Sequence, residues 1–162
     1  MTSEHADDRD ESHDERLDRQ FDDLLQELRV SQAGVQILFA FLLGIAFTQR
    51  FTELAEWQRD VFIGTLLCTA LAAILFIGPV SYARIVFRKK LRDELVEAGN
   101  WMAITGLVFL MLAMVGAVLL VTGFVLGSGW AALLSAGVFC VFLVIWYAVP
   151  LSARRRSARS RT

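Results

Sequence analysis

Charged side chains are confined to a few stretches of this chain, and between them lie three charge-free runs, Val30 to Gln49, Val61 to Ala83 and Ala98 to Ala153. The last runs for 56 residues and is broken only by Gly127, Ser128 and Gly129, so it divides into two apolar segments. A helix of about 20 apolar residues crosses the roughly 30 Å of a bilayer hydrocarbon core. The pattern therefore predicts four transmembrane helices, near Val30 to Gln49, Val61 to Ala83, Trp101 to Leu126 and Trp130 to Pro150. Lipid offers no partner to backbone N–H and C=O groups, and apolar runs of this length satisfy them as helix rather than as barrel strands. The predicted fold class is all-α, a polytopic membrane protein with a 30–150 transmembrane domain.

Upstream of the first span the periodicity changes. Leu17, Phe21, Leu24, Leu25 and Leu28 recur at helical spacing with Asp18, Asp22, Asp23 and Glu27 between them, which predicts an amphipathic cytoplasmic helix over 15–29 running into the membrane. Such a helix either offers a partner-binding face, or lies at the interface or against the end of the bundle. Residues 1–14 are too polar to bury apolar surface and read as a disordered acidic tail. The acidic start lacks an apolar segment of the secretory type, so the first span is expected to remain and to serve as the insertion signal.

Composition agrees with the pattern: 56% of residues are hydrophobic and the mean hydropathy is positive. The formal charge of −1 conceals a separation along the chain. Residues 1–29 hold eleven acids against four arginines, whereas the 151–162 tail carries Arg154, Arg155, Arg156, Arg159 and Arg161. Between the second and third spans lie Arg84, Arg88, Lys89, Lys90 and Arg92, and between the first and second only Arg50 and Arg59. The positive-inside rule then places both termini and the middle connection in the cytoplasm, with fourteen basic residues there against two outside. Trp57, Trp101, Trp130, Trp146 and Tyr147 fall near predicted span ends, at headgroup level.

If the second span extends as helix, Arg84, Arg88 and Arg92 share one face. With Arg154, Arg155 and Arg156 of the tail they can hold anionic lipid headgroups, or act as an orientation signal alone. The tail could also pair weakly with the acidic N-terminal segment.

Within the spans the chemistry is sparse. Gln32 and Gln36 lie one turn apart on the first, and Ser81, Asn100, Thr105 and Tyr147 fall at similar cytoplasmic depth on the others. These residues form a candidate intramembrane polar cluster, which either hydrogen-bonds the helices together or lines a water-accessible cavity. Gly78 and Pro79 predict a kink, since Pro79 leaves the Leu75 carbonyl without its donor. Small-residue pairs, Gly44 with Thr48, Gly64 with Cys68, Ala113 with Gly116 and Ala117, Gly123 with Gly127, and Ala132 with Ala136, mark faces for close helix approach within one chain or between copies.

The missing chemistry narrows the function. No Asp, Glu, Lys, Arg or His lies inside a predicted span, although proton-coupled transport ordinarily needs such a group. His5 and His13 sit in an acidic stretch with no preorganised metal geometry, and no metal or cofactor is expected. Nucleophile–base constellations, phosphate-binding glycine loops and paired catalytic carboxylates are lacking, so the sequence does not read as an enzyme. Cys68 and Cys140 each fall mid-span and read as packing residues. The Arg-rich tail lacks interleaved aromatics, which argues against a nucleic-acid partner.

The stretches Leu25 to Leu43 and Phe47-Thr48-Gln49-Arg50-Phe51, with further likeness around Gln58 to Leu71 and Arg84 to Arg88, are similar to an uncharacterised actinobacterial membrane family. Its members are small four-span proteins of unknown function, some bearing an automatic sodium:proton antiporter label. The resemblance covers about residues 16–126 and implies the four-span topology, with no catalytic or binding residues to carry over.

The expected protein is a multi-pass plasma-membrane component with a structural, accessory or regulatory role, in contact with anionic lipids and joined to copies of itself or to another membrane protein. The alternative is a small oligomeric transporter or channel, including sodium:proton antiport, with a pore lined by Gln32, Gln36, Asn100, Thr105 and the Pro79 kink.

Overall fold

The computed structural model describes residues 13–86 and 92–148. Four helices follow one another: α1 (His13–Ala46), α2 (Glu56–Val86), α3 (Arg92–Leu126) and α4 (Ser128–Leu143). A short 3-10 helix, Gln49–Glu53, links α1 to α2, and π-helical residues Val144–Ala148 continue α4. Among the described residues there is no strand. Each helix contains a stretch long and apolar enough to cross a membrane: Asp22–Ala46, Glu56–Tyr82, Val96–Leu126 and Ser128–Trp146.

The amphipathic stretch and the first span form one continuous helix of 34 residues, about 51 Å at 1.5 Å per residue. Leu28 is buried in one core cluster with Val35 of α1 and Ala72 and Phe76 of α2, and Leu24 packs against that cluster, so this part of the amphipathic stretch is used within the fold. The side chains of Leu17 and Phe21 lie outside the described residues, as do residues 1–12 of the expected acidic tail. Helix α1 stops at Ala46, short of the expected Gln49, because its last turn tightens. The Phe47 and Thr48 amides bond back three residues to the Gly44 and Ile45 carbonyls, and the Thr48 hydroxyl donates to Ile45 O at 2.8 Å.

Helix α2 starts on one half of a capping box, the N-cap position being Ala55, which has no side-chain acceptor. Gln58 is at its third helical position, and its Oε1 accepts the Ala55 N–H at 2.9 Å, satisfying a donor that the helix itself cannot reach. The turn between α3 and α4 depends on Gly127, whose φ of 85° lies in the left-handed region that glycine enters without steric cost. The Gly127 carbonyl then accepts from Ala131 N at 3.2 Å and opens α4.

Helix α2 is inside out by the standards of a soluble protein. Gln58, Phe62, Thr65, Thr69, Ala72, Phe76 and Pro79 are all buried, and their alternating spacings of four and three keep them on one stripe along the helix. The large aliphatic residues Ile63, Leu67, Leu71, Ile74, Ile77 and Val80 are exposed instead. In lipid a Leu gains nothing by leaving the surface, so packing quality and hydrogen bonding decide which residues go inside.

Glycines on α3 form the matching seam. A methyl at Gly106 would stand 2.6 Å from Cε1 of Phe76, one at Gly116 would overlap Thr65 Oγ1, and one at Gly123 would stand 2.7 Å from Cη2 of Trp57. At the other side of the seam, a methyl at Gly78 would meet Met102 Sδ at 2.8 Å. The partners run in opposite sequence directions, so α2 and α3 are antiparallel, with side chains of one helix seated on the glycines of the other. Dispersion from close approach holds such a pair, since the hydrophobic effect is absent between helices in lipid.

Helix α1 lies against α2 and α3 through Leu28, Val35 and Leu42, a seven-residue repeat of buried positions. Backbone approach of α4 to another long helix is confined to α3, where Ala131 and Ser135 are its buried residues. The arrangement is therefore a three-helix core with α4 appended along α3.

Candidate functional site

Polar groups within an apolar bundle are the natural places to look for function, and they fall into two sets. The inner set is buried in the core: Thr65, Thr69 and Ser135. Thr65 donates to the Val61 carbonyl and Thr69 to the Thr65 carbonyl, both at 2.7 Å. Each hydroxyl proton is thus satisfied by its own helix and leaves the α2 to α3 seam dry. Thr122 of α3 does the same with Val118 O at 2.6 Å. Ser135 Oγ is buried without a partner, facing the α3 side of α4. The sequence did not single out this inner set. Its signal on α2 was the three-and-four spacing of Gln58, Phe62, Thr65, Thr69, Ala72, Phe76 and Pro79, which hydropathy hides.

The outer set contains most of the residues expected to cluster. Gln36, Ser81 and Asn100 are exposed, and Gln32 is half-buried. No hydrogen bond joins these four to one another or to another described residue. Thr105 is half-buried and spends its proton on the Trp101 carbonyl at 2.9 Å. The Tyr147 side chain is outside the described residues. Among the described residues, no side-chain hydrogen bond joins members of the expected polar layer to one another.

Gln36 has the most consequential position. It lies ten residues before the end of α1 at Ala46, about 15 Å along the axis and so near half of a 30 Å hydrocarbon core. At 100° per residue Ala33, Ala40 and Gly44 fall roughly opposite the Leu28, Val35 and Leu42 packing face, and Gln36 lies on the flank between, about 100° from that face. All four of these outward residues are exposed, and a methyl at Gly44 would meet nothing within 4 Å.

Pro79 is fully buried, α2 is one helix across it from Glu56 to Val86, and the neighbouring Gly78 receives the Met102 side chain. This region is filled by packing. Of the basic residues expected at headgroups, Arg84 belongs to the end of α2 and Arg92 opens α3. Their side chains, and all of Arg88, Arg154, Arg155 and Arg156, lie outside the described residues.

Among the described residues no group of three or more His, Cys, Asp or Glu side chains could hold a metal ion. Cys68 and Cys140 are both free thiols on different helices. Among the described residues the buried threonine hydroxyls are satisfied and Ser135 Oγ is not, while the Gln36 amide is exposed and without a side-chain hydrogen bond.

No curated protein and no solved structure matches the chain. The model of a family of unknown function, DUF6328, matches residues 10–150, and the chain, a protein with four membrane-spanning helices, belongs to that family.

Proposed function

We propose that this protein is a noncatalytic plasma-membrane component, with both termini cytoplasmic, which works by lateral association of its α1 helix with α1 of a second copy. The observation that carries the reading is the exposed Gln36 at mid-depth, on a flank of α1 outside its core-packing face. A carboxamide in hydrocarbon holds two donors and an acceptor without partners, and association is the usual remedy. Gln36 against Gln36 is self-complementary, as a two-fold interface requires. Ala33, Ala40 and Gly44 around it permit close backbone approach. The basic residues Arg84, Arg88, Arg92, Arg154, Arg155 and Arg156 would then face the anionic inner leaflet and fix the orientation.

A second reading draws on the same exposure. Gln36 and Asn100, both outward, could line a pore between subunits and carry ions, including the sodium:proton exchange implied by the family resemblance. Against it, the Thr105 hydroxyl is engaged by its own helix, and no Asp, Glu, Lys, Arg or His lies between Arg29 and Arg50 or between Asp60 and Arg84 to couple protons. Vesicles containing the purified chain, loaded with sodium and proton gradients, separate the two. The account expects no flux above empty vesicles across pH. Flux lost in Gln36→Leu, with assembly intact, would overturn it in favour of transport.

A further inference from the structure

The end of the bundle that carries the α1 to α2 link is open on one side. Because α1 stops at Ala46 and the chain turns through Gln49–Glu53, a groove of about 500 Å³ is left between the end of α1 and the end of α3. That volume lies within the range of small-molecule sites. Phe62 of α2 forms part of its lining, held edge-on against Phe51 with ring centroids 5.0 Å apart. Ile45 and Leu54 contribute from one side, and Leu120, Val121 and Phe124 from the other. Leu120 to Val125 extends the wall by more than one turn, about 8 Å.

Two lining residues are polar, Thr48 and Arg50. The Thr48 hydroxyl is donated to Ile45 O. Arg50 stacks its guanidinium over the Phe124 ring at 5.2 Å and makes no ion pair or hydrogen bond among the described residues, although Glu53 and Glu56 follow it closely in sequence. A cation–π contact takes up none of the guanidinium N–H donors in a hydrogen bond, so they are open to an anion. The rim is accessible sideways, with Val125 71% exposed and Val121 and Phe124 also exposed to the space where lipid would lie.

We infer that this groove binds an anionic phospholipid of the surrounding leaflet, with an acyl chain along Phe62, Leu120 and Phe124 and the phosphate on Arg50. An apolar slot open to the bilayer, with one unpaired cation at its end, complements that amphiphile in shape and charge. The charges of the α1 to α2 link, Arg50 and Arg59 against Glu53, Glu56 and Asp60, sum to −1, so general electrostatic attraction does not supply the preference there. Selectivity comes from Arg50 itself.

The test uses the full chain in nanodiscs of nine parts phosphatidylcholine to one part phosphatidylglycerol, with the lipid retained per protomer after detergent extraction read by mass spectrometry. Phosphatidylglycerol should be enriched over its bulk fraction. Arg50→Gln should lower that enrichment about fivefold, the share of one cation near the surface. Arg50→Lys and Arg59→Gln should preserve it, and Val121→Trp, which fills the groove, should reduce retention of both lipids. Equal retention of the two lipids by the native chain would overturn the inference. So would enrichment that persists in Arg50→Gln, which would trace to the basic cytoplasmic segments, or a groove shown by cross-linking at Val125 to hold a second copy. None of these readouts depends on Gln36, so failure here and failure of the association reading are distinguishable.

Discussion

Thr65 and Gly116 occupy the same point of the α2 to α3 seam: the Thr65 hydroxyl, bonded to Val61 O, stands where a side chain at 116 would have to go. The contact fixes how near the two helices come and makes the seam intolerant of a single added methyl. Gly116→Ala should lose about 1–3 kcal/mol, the cost of overpacking a filled interior. Thr65→Ala in the same chain should recover part of that loss, since neighbours in contact are not additive. Gly64→Ala, one residue away but with open space around it, should lose nothing. Reversible unfolding in mixed micelles measures all three.

The inverted pattern of α2 makes a second prediction. Phe76 is fully buried and Ile74 is 64% exposed, although both are large and apolar. Phe76→Ala should destabilise by about 3–5 kcal/mol, and Ile74→Ala by less than about 0.5 kcal/mol. A soluble-type core built from the aliphatic face would reverse the order, and the same unfolding assay reads it.

The single side-chain capping bond at the start of α2 comes from Gln58. Replacing Gln58 by alanine should cost about 1 kcal/mol and leave the Ala55 amide without its acceptor, so that its hydrogen exchange quickens. Gln58→Glu keeps an acceptor in place and should keep the protection. Exchange at Ala55 that is unchanged in the alanine variant would show that the side chain does not cap.

Orientation is open to labelling in intact cells. With Cys68 and Cys140 replaced by alanine, single cysteines at Glu56 and Ser128 should react with an impermeant maleimide from outside, and one at Ser157 should not. The opposite pattern would invert the proposed topology.

The number and nature of the elements were plain in the sequence because charge is excluded from hydrocarbon and helix is what satisfies a backbone there. Where the helices face was not. On α2 the lipid-facing Leu67 and Leu71 and the buried Ala72 and Phe76 are all apolar, so hydropathy carries no direction. Thr65 and Thr69, whose spacing does carry it, look like incidental hydroxyls until their back-bonds and burial are seen. The small-residue faces split in the same way: Gly116 and Gly123 serve the internal seam, whereas Gly44 and Gly64 have open surroundings. The groove beneath Arg50 was invisible because its walls, from Ile45 to Phe124, come from segments far apart in the chain.

The central claim is that association proceeds through the exposed Gln36 amide of α1. Native-membrane extraction without detergent, followed by mass analysis of the particles, tests it directly. The native chain is predicted to emerge as an assembly of at least two copies. Gln36→Leu should shift it to single protomers, and Ser81→Ala, also at an exposed polar position, should not. Single protomers from the native chain, or assemblies that survive Gln36→Leu unchanged, would contradict the account.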